Sequence, residues 1–345
     1  MRIAVVNSYI PFIREETDAL VDALTTKLGE YGHNVTLVKI PFTCNSLQEI
    51  FDHLIAVRSL HFKYFFDLVI PLNFPSYHIK HPKKVLWLLD YSKPLRSLLE
   101  TKFHTTSNIS NDLHITKKPI DYDNLYLKET KKIFTASQPI FNQLKKFNNC
   151  TSEILYPPLI NAENYYCNDY GNYLFFPIPI NDTKGQYLAV ESMKHTKSNV
   201  ELIIAGHVES KKDLINLQST INQNGLSNKV KVIDRLITEE EKIKLMADSL
   251  GCIYAPYTGG YQQVTLEAQY SQKPIITCTD SEGTNIFIEN HVTGLVVPPD
   301  PKLIAENMDK LYLDKRIAER IGKSGLERIQ SLDITWNKVI EKLIK

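Results

Sequence analysis

Short apolar runs alternate with amphipathic stretches from the start of the chain. Residues 2–7 form an apolar run, residues 17–28 repeat apolar side chains at helical spacing, and residues 35–40 are apolar again. Gly29 and Gly32 mark the end of the helical stretch. This order predicts a strand, a helix and a second strand, which together form the βαβ unit of a parallel sheet.

The same alternation continues to the C-terminus. It predicts further strands at 66–72, 85–89, 132–136, 153–156, 173–178, 200–205, 230–233, 251–255, 274–278 and 294–297, and further helices at 138–148, 186–194, 238–249, 263–270, 301–313, 315–330 and 333–344.

This succession predicts an α/β fold with two doubly wound, Rossmann-like domains. We place an N-terminal domain at 1–165, a C-terminal domain at 166–330, and a last helix at 331–345 that can cross back to the N-terminal domain. The polar segment 96–120 has little pattern and predicts a long loop or short helices.

Composition narrows the class of protein. A chain of 345 residues with 43% hydrophobic and 23% charged residues is typical of a globular protein of about two domains. The 40 Lys and Arg residues balance 39 Asp and Glu residues, which argues against a nucleic-acid-binding protein. The five cysteines are scattered, so they predict neither a disulfide framework nor a zinc site, and they favour a cytoplasmic protein. No apolar run approaches the ~20 residues of a membrane span, and no signal peptide is expected.

Several motifs follow one another in the C-terminal half. They are Asn181-Asp182-Thr183-Lys184-Gly185-Gln186, Leu202-Ile203-Ile204-Ala205-Gly206, Val264-Thr265-Leu266-Glu267-Ala268, Lys273-Pro274-Ile275-Ile276 and Gly294-Leu295-Val296-Val297. Their order and spacing resemble the nucleotide-binding half of GT-B glycosyltransferases, specifically the retaining family 4. Residues 67–87 resemble a segment of the bacterial polysaccharide-type members of that family. The resemblance implies an interdomain cleft that holds a nucleotide-sugar, and a role in polysaccharide biosynthesis.

The resemblance assigns two catalytic positions. Lys184 matches the lysine that stabilises the departing diphosphate, and Glu267 matches the glutamate that accepts hydrogen bonds from the ribose hydroxyls. Without the resemblance, Lys184 is a surface lysine after a turn and Glu267 a glutamate that stabilises a helix N-terminus. We favour the functional interpretation of both residues. The resemblance also implies that the donor contacts Gly185, Gly206, Tyr261, Gln262, Gln263, Val264 and Thr265.

Other positions depart from the family pattern. The arginine five positions before Lys184 is Pro179 here, and the glutamate eight positions before Glu267 is Gly259. The paired glycines of the first loop fall at Glu15 and Glu16. A carboxylate ~4 Å from a phosphate costs about 4 kcal/mol at an effective dielectric constant near 20. The donor-site motifs are therefore degenerate.

The sequence leaves two functions open. One is a glycosyltransferase that moves a sugar with retention from a nucleotide-sugar to a carbohydrate or lipid-linked acceptor. The alternative is a catalytically inactive pseudo-glycosyltransferase that serves as a glycan-binding protein or as a scaffold for a partner enzyme. An epimerase of the same fold is less favoured, because it needs the same diphosphate binding.

Candidate acceptor residues lie in the N-terminal half. Arg14 can replace the missing arginine, His81 belongs to a basic cluster at residues 80–84, and Asp90 follows a strand where the family has a histidine. The basic cluster is either a solvated loop or a contact for an anionic, lipid-linked acceptor at a membrane surface.

We expect a nucleotide-sugar and a glycan or lipid-linked acceptor as substrates, with no cofactor, no metal and no nucleic acid. A partner glycosyltransferase and peripheral contact with the inner face of the membrane are the further partners that the resemblance implies.

Overall fold

The computed structural model describes residues 1–12, 17–43, 46–91, 121–180, 184–208, 210–256, 263–281 and 286–345. Within these ranges no helix is both long and apolar enough to cross a bilayer. The chain forms two compact units, Met1–Pro158 with Ile334–Lys345, and Leu159–Asp333. The junction therefore lies at 158/159 in the structure, whereas the sequence pattern placed it at 165/166.

The N-terminal unit is built on parallel strands. Its strands are β1 (Arg2–Tyr9), β2 (Asn34–Pro41), β3 (Leu68–Pro71), β4 (Val85–Leu88), β5 (Lys132–Thr135) and β6 (Glu153–Ile154). They form two three-stranded sheets, in the orders β2-β1-β3 and β4-β5-β6. Two backbone hydrogen bonds join β3 to β4, from Val69 N to Lys83 O at 3.0 Å and from Leu89 N to Leu72 O at 2.9 Å.

Helices connect these strands. They are α1 (Asp18–Glu30), α2 (Leu47–Arg58), α3, whose described part covers residues 121–128, and α4 (Gln138–Asn148). The last helix of the chain, labelled α11 (Trp336–Ile344), also belongs to this unit. It buries Val339, Ile340 and Leu343, and Trp336 packs edge-on against Trp87 with ring centroids 6.5 Å apart.

The C-terminal unit has one six-stranded parallel sheet. Its strands are β7 (Tyr173–Phe176), β8 (Glu201–Ala205), β9 (Val230–Ile233), β10 (Gly251–Ile253), β11 (Ile275–Cys278) and β12 (Leu295–Val297). Their order is β12-β11-β10-β7-β8-β9. This is the doubly wound order, in which the chain changes direction between β7 and β10. Ligands of such sheets bind at the carboxyl ends of the strands that flank this switch point.

The described residues of this unit form six α-helices: α5 (Gln186–Met193), α6 (Lys211–Gln223), α7 (Glu239–Ala247), α8 (Gln263–Tyr270), α9 (Pro301–Leu313) and α10 (Lys315–Ser331). The core is a continuous apolar cluster made of strand residues and the inner faces of the helices. α10 packs closely on the end of α8, because a Cβ at Gly322 would lie 1.8 Å from Gln272 O.

Side-chain caps fix where many helices begin. Ser46, Ser137, Ser210, Thr238 and Thr335 each accept a hydrogen bond from a backbone N–H of the first turn. The sequence pattern predicts neither α2 nor α6, so both helices and their caps are seen only in the structure. Both nevertheless bury apolar residues at helical spacing, namely Ile50, Leu54 and Val57 in α2 and Leu217 and Ile221 in α6.

Candidate functional site

The switch point of the C-terminal unit brings two loops into contact. The loop after β7 ends in Lys184 and Gly185, and the segment after β10 contains Ala255. Gly185 has φ +88°, and a Cβ at this position would lie 2.3 Å from Ala255 O. Only glycine combines this backbone conformation with so close an approach. The predicted diphosphate lysine is therefore held at the edge where a doubly wound sheet binds its ligand.

Gly206 has a packing role in the loop after β8, the strand next to β7. It follows β8, and a Cβ there would lie 2.3 Å from Ile178 O, in the loop after β7. Beyond this glycine, Ile180 N donates to His207 O at 3.0 Å. Gly206 thus lets the two loops approach each other, which shapes the edge beside Lys184.

Glu267 is a buried carboxylate with one oxygen engaged. It lies on α8, and the residue is only 2% exposed. Its Oε1 accepts a hydrogen bond from Lys242 Nζ at 2.8 Å. Its Oε2 is buried and has no hydrogen-bond partner in the described part of the chain. A buried carboxylate oxygen that lacks a donor is suited to accept a hydrogen bond from a ligand hydroxyl.

Three further groups surround this carboxylate. Lys242 Nζ also pairs with Glu239 Oε2 at 3.0 Å, and Tyr165 donates to Glu239 Oε1 at 2.6 Å. Burial acts to lower the pKa of Lys242, but Glu267 and Glu239 outweigh it, so the pKa lies above its ordinary value. Burial, then Glu267 and Glu239, raise the pKa of Tyr165 far above its usual range. Lys242 therefore stays a cation and Tyr165 a donor at neutral pH.

The first residue of α5 and the first five residues of α8 include buried polar groups. Gln186, Thr265 and Glu267 each have one buried side-chain oxygen without a partner in the described residues. Gln186 Nε2 donates to Pro179 O at 2.7 Å, which holds Pro179 beside the start of α5. Among the residues predicted to contact the nucleotide-sugar, Thr265 is fully buried, whereas Gln263 is half-buried at the start of α8. Val264 is buried and packs in the hydrophobic core.

Several predicted site residues lie outside the described part of the chain. They are Arg14, Glu15, Glu16, Gly259, Tyr261 and Gln262. Their roles remain predictions.

The N-terminal unit has polar groups at the corresponding edge. Asn73, after β3, bridges to the end of β1: Ser8 N donates to Asn73 Oδ1, and Asn73 Nδ2 donates to Ser8 O, both at 2.8 Å. Asn7 Nδ2 and Ser8 Oγ are buried and have no hydrogen-bond partner among the described residues. The carboxyl end of β1 therefore holds a donor and a hydroxyl that can bind a polar ligand.

The basic cluster at 80–84 is not a uniformly solvated loop. Lys84 is fully buried, and its Nζ donates to the backbone oxygens of Tyr77, Ile79 and Tyr126 at 2.6–3.3 Å. Burial lowers the pKa of Lys84 to about 8. The solvated interpretation is therefore wrong for this lysine, since the cage of three carbonyls satisfies its ammonium inside the protein.

His81 and Asp90 are placed differently. His81 is buried, with Nδ1 at 2.8 Å from Lys83 O and Nε2 at 3.2 Å from Phe66 O. These contacts hold its ring against the backbone before β3 and β4, at the amino ends of the strands. Asp90 is exposed and follows β4, at the carboxyl end. Of His81 and Asp90, only Asp90 lies at the edge where ligands of parallel sheets bind.

The structure thus brings Gly185, directly after Lys184, against Ala255 of the segment after β10, while Glu267 pairs with Lys242. Sequence reasoning missed Lys242 and Tyr165. The Thr238–Glu241 capping signal locates the helix that carries Lys242, but nothing in the pattern indicates which of its lysines turns inward. No cluster of His, Cys, Asp and Glu suited to a metal ion occurs among the described residues.

Comparison with known proteins identifies relatives. Residues 168–328 match the family model "Glycosyl transferases group 1". The chain is 22% identical over 164 residues to O-antigen chain mannosyltransferase C of Escherichia coli, a match that covers 47% of this chain and 42% of that protein. The chain thus spans less than half the length of this relative.

Solved structures match over the full chain. A sucrose-phosphate synthase from Thermosynechococcus elongatus superposes with a TM-score of 0.75 at 15% identity, and covers 98% of this chain and 96% of its own. HepE from Anabaena, solved in complex with UDP-glucose, gives a TM-score of 0.72 at 12% identity, with 99% and 98% covered. At such identities the likeness establishes the fold. The chain therefore has the GT-B fold, and its residues 168–328 are similar to the glycosyl transferases group 1 family.

Proposed function

We propose that this protein is a retaining glycosyltransferase of family 4, which transfers a sugar from a nucleotide-sugar donor to a carbohydrate or lipid-linked acceptor. The observation that carries the proposal is the carboxylate of Glu267. Its Oε1 is fixed by Lys242, and its Oε2 is buried without a partner in the described chain. The two hydroxyls of a ribose are the donors that such an oxygen accepts.

The leaving group of the reaction is a nucleoside diphosphate. As the bond to the sugar breaks, negative charge grows on the diphosphate, and nearby cations and N–H donors lower the barrier. Lys184 supplies a cation directly before α5, and the first N–H groups of α5 supply donors with a favourable helix dipole. In this proposal Lys184 stabilises the leaving group and no metal ion is required.

The relatives support the class of donor. A structural neighbour was solved with UDP-glucose, and a sequence relative is named as a mannosyltransferase. We therefore expect a nucleoside diphosphate hexose as donor. For the acceptor, Asn7, Ser8 and Asp90 lie at the carboxyl edge of the N-terminal sheet, where a hydroxylated acceptor would bind.

A donor screen tests this proposal. The protein is incubated with nucleotide-sugars that include UDP-glucose and GDP-mannose, with and without EDTA, and release of nucleoside diphosphate is measured. We expect release with at least one donor, unchanged by EDTA. Lys184→Met should lower kcat about 10²–10³-fold, as removal of one hydrogen-bond donor that stabilises the transition state does in other enzymes. Lys212→Met, an exposed lysine of α6, is the matched control and should retain full activity.

Product stereochemistry tests retention. NMR of the product formed from an α-linked donor should show an α-linkage. A β-linked product would overturn the retaining mechanism, and failure of every donor to bind or react would overturn the transferase. Binding of a glycan without any turnover would favour the inactive scaffold.

A further inference from the structure

The ammonium group of Lys242 has three hydrogens, and the described residues of the protein engage two of them. Nζ donates to Glu267 Oε1 at 2.8 Å and pairs with Glu239 Oε2 at 3.0 Å. No third acceptor for Nζ occurs in the described part of the chain. The side chain is 17% exposed, so the third N–H can still reach a ligand.

Glu267 has one acceptor atom left directly beside this ammonium. Its Oε1 is occupied by Lys242, whereas its Oε2 is buried without a partner among the residues that the structure describes. Tyr165 lies beside the same carboxylate, but its hydroxyl has a single hydrogen, which it gives to Glu239 Oε1 at 2.6 Å. An acceptor oxygen and a donor N–H therefore lie next to each other on one ion pair.

The surrounding contacts hold this ion pair in place. Lys242 and Glu239 are three positions apart on α7, so they lie on the same face of the helix, and Thr238 caps its start. Both oxygens of Glu239 are engaged, one by Lys242 and one by Tyr165. Although burial acts to lower the pKa of Lys242, Glu267 and Glu239 hold that pKa above its ordinary value, so the ammonium keeps its third hydrogen at neutral pH.

We propose that Lys242 determines how the ribose of the nucleotide-sugar is recognised, so that its two neighbouring hydroxyls bind in unlike roles. One hydroxyl donates to Glu267 Oε2, and the oxygen of the other accepts the third N–H of Lys242. Without Lys242, both carboxylate oxygens would face the ligand and both hydroxyls would donate. The inference rests on the proposed function, in which Glu267 binds the ribose, and it adds Lys242 as a specificity-determining residue of that site.

Fluorinated nucleotides separate the two roles. Fluorine replaces a hydroxyl with little change in size, but it cannot donate a hydrogen bond and carries a partial negative charge. The affinities of UDP, GDP and ADP are compared by calorimetry with those of their 2′-fluoro-2′-deoxy and 3′-fluoro-3′-deoxy analogues. For the nucleotide that binds, we expect one analogue to lose about 10–100-fold in affinity, because its fluorine faces the carboxylate where a hydrogen-bond donor is needed. The other fluorine faces the ammonium, so that analogue should lose at most about fivefold.

Lys242→Met is the variant that should remove this contrast. With both oxygens of Glu267 open to the ligand, both analogues should lose about 10–100-fold in affinity. Fluorine also alters the pucker of the ribose, but this effect is the same for both proteins and cancels in the comparison. Lys244→Met removes an exposed lysine from the same helix, and this matched control should keep the contrast of the wild type. Circular dichroism verifies that each variant is folded at the temperature of the titration.

The outcomes separate this inference from the proposed function. Equal losses for the two analogues in the wild type would overturn the role of Lys242 and leave the nucleotide site intact, and this result does not depend on how any variant folds. An undiminished contrast in Lys242→Met would overturn it as well. Failure of the wild type to bind any of the three nucleotides would overturn both the inference and the nucleotide site on which it rests.

Discussion

Lys242→Met is the substitution that most directly probes how the protein holds Glu267. In the native chain, Lys242 Nζ lies 2.8 Å from Glu267 Oε1 and 3.0 Å from Glu239 Oε2. Methionine has nearly the same volume but no charge, so it leaves the 2%-exposed carboxylate of Glu267 without a counterion. Breaking a buried ion pair from one side costs about 3–5 kcal/mol.

The size of the effect makes it measurable. The C-terminal unit spans Leu159–Asp333, and for a domain of this size each 1 kcal/mol lowers Tm by about 2–4 °C. We therefore expect Lys242→Met to lower Tm of this unit by about 10 °C. Both tryptophans of the chain, Trp87 and Trp336, belong to the N-terminal unit. Far-UV circular dichroism reports the loss, while tryptophan fluorescence follows the other unit as an internal control.

Two companion variants sharpen the test. Lys244→Met removes an exposed lysine from the same helix and should change stability by less than about 0.5 kcal/mol. Lys242→Met with Glu267→Gln removes both charges and should recover most of the lost stability. If the single variant is as stable as the wild type, or the double variant is no more stable than the single, the buried-pair reasoning is wrong.

Three further predictions concern other parts of the fold. The pKa of Lys84 is about 8 in the folded protein, against an ordinary 10.5, so above pH 8 the unfolded chain binds more protons than the folded protein does. The free energy of unfolding should therefore rise by about 1–2 kcal/mol from pH 8 to 9.5, as measured by urea titrations. Lys84→Met should abolish this rise. Ile340→Ala should destabilise the N-terminal unit by about 2–5 kcal/mol, read by tryptophan fluorescence, because this fully buried residue anchors α11; an unchanged midpoint would contradict the packing. Gly206→Ala should destabilise the C-terminal unit by about 1–3 kcal/mol, since its Cβ would meet Ile178 O at 2.3 Å, and equal stability by circular dichroism would refute the close approach.

Much of the fold could be predicted from the chain, because buried parallel strands are short continuous apolar runs. The bounds of β9, α4, α8 and α9 agree with the prediction, as the segments 230–233, 138–148, 263–270 and 301–313 have strong patterns and clear ends. Other strands are shorter than predicted: β7 ends at Phe176, although the apolar run continues to Ile178. The apolar run extends into the loop after β7, because Ile178 packs in the hydrophobic core although it lies outside the strand.

The candidate site was only partly accessible to sequence reasoning. Motif order locates Lys184 and Glu267, but a motif gives no partner for a buried carboxylate. Lys242 lies 25 residues before Glu267, on another helix, and Tyr165 is the last residue of the predicted N-terminal domain, although the structure places it in the C-terminal unit. Likewise, in the sequence Lys84 is one more lysine in a basic run. Only the structure, in which three backbone carbonyls surround its ammonium group, shows that this lysine is buried.

The proposed function requires that Glu267 accepts a hydrogen bond from the ribose of a nucleotide donor. Calorimetric affinities of a nucleoside diphosphate and its 2′,3′-dideoxy analogue, measured on the wild type and on Glu267→Gln, test it most directly, with Glu240→Gln as the exposed control from α7. A hydrogen bond to a charged group contributes about 1.5–3 kcal/mol, so the wild type and the control should prefer the ribonucleotide by roughly 10–100-fold. Glu267→Gln should lose most of this preference. Equal affinities of the wild type for the two nucleotides, or an undiminished preference in Glu267→Gln, would show that Glu267 does not bind the ribose.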